Sequence, residues 1–202
     1  MTPADVTPAN LSPPEQVTIL AVDGPAGAGK TTLAARLAHR LNVTTVIHLD
    51  DLYHGWDDGP DGGAARLATE ILTPLSQGNT AHYRRFNWYT STWGDEVAVT
   101  PERLVVVEGC GSAAGTWAVP QLTSYVTWLD PGDEMSALET AIARDGEATR
   151  ERLLQWGIAQ RAHFARNGTP ARADVTITGP RRIVHTEPRV PLWLAQAWGD
   201  VT

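Results

Sequence analysis

The sequence predicts a doubly wound α/β domain, a parallel β-sheet flanked by helices. Three observations carry that reading: short apolar, β-branched runs alternate with stretches of helical periodicity, each run stops at a polar residue, and the first opens into a glycine-rich turn. Strands alternating with helices imply parallel crossover units, whose ligands lie beyond the carboxyl ends of the strands. The polar residues that follow each strand are therefore the candidates for chemistry.

The first run, 17–22, ends at Asp23 and Gly24, a strand feeding a turn. Leu33, Leu37 and Leu41 then recur at i, i+4 and i+8 with Ala34 and Ala38 beside them, which gives one apolar helix face. A second strand, 44–49, stops at the pair Asp50 and Asp51. Residues 51–100 read as a substrate-side insertion, because Gly, Asp and Trp are scattered through 54–63 and helical spacing shows only over about 64–76. Run 104–107 is apolar throughout and ends at Glu108, and 125–129 ends at Asp130 in the same manner; both read as buried central strands. Met135, Leu138 and Ile142 are expected to anchor the next helix on the sheet, with another helix over 149–165. A last strand, 174–178, precedes a tail containing proline and tryptophan.

The chain has 202 residues, 42% hydrophobic and 19% charged, the composition of one soluble domain over 17–202 behind a proline-rich lead expected to be disordered over 1–16. The formal net charge of −7 opposes loose binding to nucleic acid or anionic lipid, so neither is expected as a partner. The lead has no signal-peptide pattern, and no apolar stretch reaches the ~20 residues of a membrane span. A single cysteine, Cys110, fits a reducing compartment, hence the cytoplasm. Oligomeric state, including a homo-oligomer, is left open.

Residues 24–31, Gly-Pro-Ala-Gly-Ala-Gly-Lys-Thr, fit G-x-x-x-x-G-K-[ST] between a strand and a helix, the context in which that motif cradles phosphate. Gly24, Ala26, Gly27, Ala28, Gly29, Lys30, Thr31 and Thr32 are the nucleotide-binding candidates. Backbone amides turn inward around a β-phosphate, the helix N-terminus adds its dipole, Lys30 spans the β- and γ-phosphates, and the Thr31 hydroxyl takes Mg²⁺. Lys30 is also the single lysine of the chain, the other fifteen Lys/Arg positions being arginine. ATP and Mg²⁺ are the implied cofactors.

Asp50, Asp51 and Glu108 end strands that should converge on this loop. One carboxylate can take the proton of an acceptor hydroxyl; another, Asp51 or Glu108, can hold Mg²⁺ or its water. Each also has an ordinary reading as a turn or cap residue. The histidines show no metal spacing and receive no role.

With these residues in place the chain resembles the uridine kinase-like P-loop kinases, a branch of the P-loop NTPases that includes phosphoribulokinase, bacterial pantothenate kinase and nicotinamide riboside kinase. The marks are the phosphate loop continuing into Thr32-Leu33-Ala34, then Asp50-Asp51-Leu52-Tyr53, Tyr83-Arg84-Arg85-Phe86-Asn87-Trp88, 105–109 (Val-Val-Val-Glu-Gly), Arg144-Asp145 with Arg150, and Ala173-Asp174-Val175. The resemblance implies transfer of the ATP γ-phosphate to a small hydroxyl-bearing acceptor. Within it Asp50 is the catalytic base, Glu108 lies on the magnesium side, and Arg144 and Arg150 belong to a lid at about 144–152. Tyr53, Tyr83, Arg84, Arg85 and Trp88 stand as candidate acceptor contacts. Asn87 replaces the family's substrate Asp, and the arginine run before the lid is thinned to Ala143-Arg144, so uridine itself is not implied. A nucleoside monophosphate kinase, using Arg84 and Arg85 on the acceptor phosphate, and a nucleotide-dependent switch are the alternatives.

Overall fold

The structure is a computed structural model in which residues 16–179 and 182–199 are described; the lead expected to be disordered falls outside them except for Gln16. In chain order the elements are β1 (Thr18–Asp23), α1 (Lys30–Leu41), β2 (Val46–His48), α2 (Gly59–Arg66), α3 (Thr73–Ser76), β3 (Ala81–Asn87), β4 (Thr92–Val99), β5 (Leu104–Glu108) and α4 (Ser112–Trp117). They continue with β6 (Thr123–Asp130), α5 (Glu134–Asp145), α6 (Arg150–Asn167), α7 (Thr169–Arg172), β7 (Val175–Thr178), β8 (Arg182–Thr186) and α8 (Leu192–Gly199).

Six strands form the central sheet in the order β2-β5-β1-β6-β7-β8, parallel except for β8, which runs against β7. Strand alternation assigns the core. Ile19, Ala21, Val105 and Val107 face one layer with Leu67, Leu72, Trp156 and Phe164, whereas Leu20, Val22 and Val106 face the other with Leu33, Leu37, Leu194 and Trp198. Helices α2, α4 and α6 thus cover one side of the sheet, and α1 and α8 the other. The fold class read from the sequence is the one observed.

Several boundaries and one helix face differ from the expectation. Met135 is 61% exposed, and α5 buries Ala137, Ala141 and Ile142 against Leu153, Ala26 and Trp56, so it packs on the phosphate loop and α6 instead of the sheet. The helical stretch expected from residue 64 starts at Gly59, with Pro60 in its first turn, and passes through a π-type segment at Leu67–Leu72. Burial of Leu67, Ile71 and Leu72 overrides the weak propensity of its glycine-rich first turn. Residues 81–99 form an antiparallel hairpin with a register shift between Arg84 and Phe86. Its strand β3 alternates buried Ala81 and Tyr83 with exposed His82 and Arg84. The tail adds β8 and α8, whose buried Leu194 and Trp198 close the second core layer.

Candidate functional site

β1 ends in Asp23, which is fully buried, and its carboxylate accepts backbone N–H bonds from Gly24 (2.8 Å), Gly111 (3.0 Å) and Ala113 (3.0 Å). One side chain therefore ties the start of the phosphate loop to the turn after β5. Burial pushes the Asp23 carboxyl up, while those three donors and Lys30 pull it back. Across the loop, Gln160 of α6 accepts from the Ala26 N–H at 3.0 Å. Neither contact was legible in the sequence, since both join residues far apart in the chain.

The loop takes the positive φ that glycine permits, +78° at Gly27 and +91° at Gly29. Gly29 stands left-handed just before α1, so the free amides of that helix's first turn face the cleft. Lys30 is buried, and its Nζ donates to Pro25 O at 2.9 Å and lies 3.5 Å from Cys110 Sγ. Burial works against its charge, but Cys110, Glu108, Asp23 and Asp50 outweigh burial and hold the ammonium above the ordinary lysine range.

Parallel register brings the expected carboxylates to the loop. Glu108 pairs in register with Val22 of β1 and His48 of β2. Glu108 Oε1 accepts from Thr31 Oγ1 at 3.0 Å and lies 2.6 Å from His48 Nδ1. His48, given no role from sequence, is thus a direct neighbour of Glu108, and that hydrogen bond raises its pKa. Its position one residue before the end of the expected strand 44–49 was the sequence signal that could have found it.

Asp50 lines a cleft of about 540 Å³ together with Gly27, Lys30, Thr31, Glu108 and Arg144, and with the aromatic residues Tyr53, Trp56, Trp88, Tyr89 and Trp156. Solvent reaches it through the cleft mouth, yet flanking protein displaces enough water to raise its carboxyl. The Glu108 charge adds to the rise, and Lys30, Arg144 and His48 oppose it. Asp51 points elsewhere and pairs with Arg85 at 3.3 Å; burial raises its carboxyl and that arginine lowers it.

The structure divides the remaining candidates. Arg144 lines the cleft, held bidentately by Asp145 at 2.6 and 2.7 Å. Arg150 is absent from the lining and is spent on Glu139 and Glu147 instead, at the far side of the Gly146 turn. Tyr53 is buried and donates to Cys110 O at 2.7 Å, so it is a wall of the cleft as well as core. Trp88 reaches in from the β3–β4 hairpin and donates Nε1–H to Asp50 O at 2.9 Å. Tyr83 is buried away from the lining, and Arg84 donates to Gly94 O and Trp93 O within its own hairpin. Thr32 is exposed on α1, and Gly24 instead lets the chain pass Leu129, whose carbonyl oxygen would lie 2.4 Å from any added Cβ.

No family model matches the chain. Cytidylate kinase of Alkaliphilus oremlandii (strain OhILAs) is 63% identical over 27 residues, 13% of this chain and 12% of that protein, so the match spans about an eighth of the curated relative. Among solved structures, a possible uridine kinase from Bacillus stearothermophilus superposes with a TM-score of 0.55 at 18% identity, covering 81% of this chain and 89% of that one. Shikimate kinase from Bacteroides thetaiotaomicron aligns at a TM-score of 0.46 and 17% identity. The chain has the P-loop kinase fold.

Proposed function

We propose that this protein transfers the γ-phosphate of Mg-ATP to a hydroxyl group of a small molecule, as a cytoplasmic kinase of the uridine kinase-like kind. The observation that carries this reading is that one cleft holds Lys30, Thr31, Asp50, Glu108 and Arg144 beside an acceptor-sized, aromatic-walled space. Loop amides and Lys30 receive the phosphates. Asp50 takes the proton of the attacking hydroxyl, and its upward-shifted carboxyl lies closer to the operating pH, where a general base works best. Arg144 supports the negative charge that spreads over the transferring group.

The residues present fit magnesium: Thr31 Oγ1 and Glu108 Oε1, 3.0 Å apart, are hard oxygen donors of the type that ion takes. When bound it neutralises charge on the β- and γ-phosphates.

Arg84 donates to backbone carbonyls and Arg85 pairs with Asp51, so neither is placed on an acceptor phosphate, while the short match to cytidylate kinase keeps a monophosphate kinase as the second reading. A pure switch would not need Asp50 in an acceptor-sized cleft. The test is ADP release by purified protein against nucleosides, nucleotides, pantothenate and sugars, with Lys30→Met as control. Acceptor-stimulated release that Lys30→Met abolishes is expected. If ATP binding and turnover survive that substitution, the reading fails.

A further inference from the structure

Resting on the kinase reading above, the acceptor end of the cleft points to a charge class for the substrate. We propose that the acceptor is a compact organic cation carrying a hydroxyl, an amino alcohol with a protonated or quaternary nitrogen seated among Trp56, Trp88 and Trp156.

Ring inclination is the first argument. Trp56 stands at 67° to Trp88 with centroids 5.4 Å apart, and at 85° to Trp156 with centroids 6.2 Å apart. A flat heterocycle is gripped best in a slot between parallel rings, where it buries both faces. Trp56 touches Trp88 and Trp156 edge to face and forms no such slot with them, and an indole that lines the cleft attracts an ammonium group through its negative ring quadrupole.

Charge is the second argument. The lining contains the cations Lys30 and Arg144 against the anions Asp50, Glu108 and Asp145. Lys30 belongs to the phosphate loop, and Arg144 is bound at both forks to Asp145. Among the described residues no other arginine lines this cleft, so an acceptor phosphate or carboxylate would find no side-chain cation of its own. Asp50, by contrast, leaves the acceptor end negative, which complements an ammonium and repels an anion. The reaction balances without a further reagent: the hydroxyl oxygen bonds the γ-phosphorus, the bond to the β,γ-bridging oxygen breaks with its electron pair leaving on ADP, and the hydroxyl proton passes to Asp50.

The test uses the full-length protein with a pair of isosteres, choline and 3,3-dimethylbutan-1-ol, which differ in nitrogen against carbon and hence in charge. Binding is read from quenching of tryptophan fluorescence and turnover from ADP release with Mg-ATP. Choline is expected to bind about tenfold tighter than the neutral alcohol or better and to stimulate ADP release. Trp88→Leu, at a half-open position, and Trp56→Leu, which also packs on the core, should each erase most of that preference. Equal binding of the two alcohols, or no saturable quenching up to about 0.1 M choline, overturns the proposal. Choline that binds but blocks ADP release overturns its role as acceptor. Release driven by uridine or shikimate and not by choline also overturns it, while leaving the kinase reading standing; that reading falls separately if Lys30→Met leaves ATP binding intact.

Discussion

Gly27 and Gly29 sit two residues apart in the same loop, and the structure assigns them different penalties for the same substitution. Both have positive φ, so alanine at either costs about 1–2 kcal/mol of backbone strain. A Cβ at Gly29 meets nothing within 4 Å, whereas one at Gly27 would lie 1.8 Å from Ala137 O of α5. Carbon and carbonyl oxygen approach to about 3.3 Å, so α5 must retreat by about 1.5 Å. Such overpacking costs a further 1–3 kcal/mol or so. Gly29→Ala should therefore lose about 1–2 and Gly27→Ala about 2–5 kcal/mol. In a chain of this size that is roughly 2–8 °C against 4–20 °C in Tm. Urea unfolding with an unchanged m-value measures both. Because α5 ends near Arg144, Gly27→Ala should also disturb the cleft more than its neighbour does. Equal destabilisation of the two variants, within about 0.5 kcal/mol, would refute the packing of α5 on the phosphate loop.

Asp50→Asn should cut turnover by about 10²-fold with ATP affinity changed only a few-fold, and Asp51→Asn, whose side chain is paired with Arg85, should cost less; steady-state kinetics with ATP titrations compare them. Arg144→Ala should lower kcat by about 10²-fold, whereas Arg150→Ala, tied up with Glu139 and Glu147, should leave kcat within about twofold. At Asp58, burial raises the carboxyl but the Arg66 hydrogen bond at 2.5 Å and the His54 amide outweigh it, so the net shift is downward. A carboxylate with a lowered folded pKa adds stability that is complete above its unfolded pKa and disappears as pH falls through the folded one. Asp58→Asn should thus cost about 1 kcal/mol at neutral pH, a cost that shrinks as pH falls through the lowered folded pKa; urea midpoints across pH check it.

How far the sequence spoke depends on whether the relevant physics is local. Apolar runs and helical spacing, such as Leu33, Leu37 and Leu41, are local signals, and they located β1, α1, β5 and β6 and with them the doubly wound class. The phosphate loop was legible for the same reason: its glycines, Lys30 and Thr31 are contiguous. The β3–β4 hairpin and α8 were not, because cross-strand pairing and a tail's docking depend on partners distant in the chain. Met135 misled because helical spacing states which residues share a face, not what that face meets.

The candidate site follows the same division. The motif determined that this chain carries a G-x-x-x-x-G-K-[ST] loop between a strand and a helix, with acidic residues closing the strands beside it. Tertiary structure decided which of those residues share a cavity. Parallel register set Glu108 against Thr31 and His48; the Gly146 turn separated Arg144 from Arg150; and packing of α2, α6 and the hairpin gathered Trp56, Trp88 and Trp156 into one corner. These tryptophans lie up to a hundred residues apart, and only the burial that brings their elements together places them on one cleft.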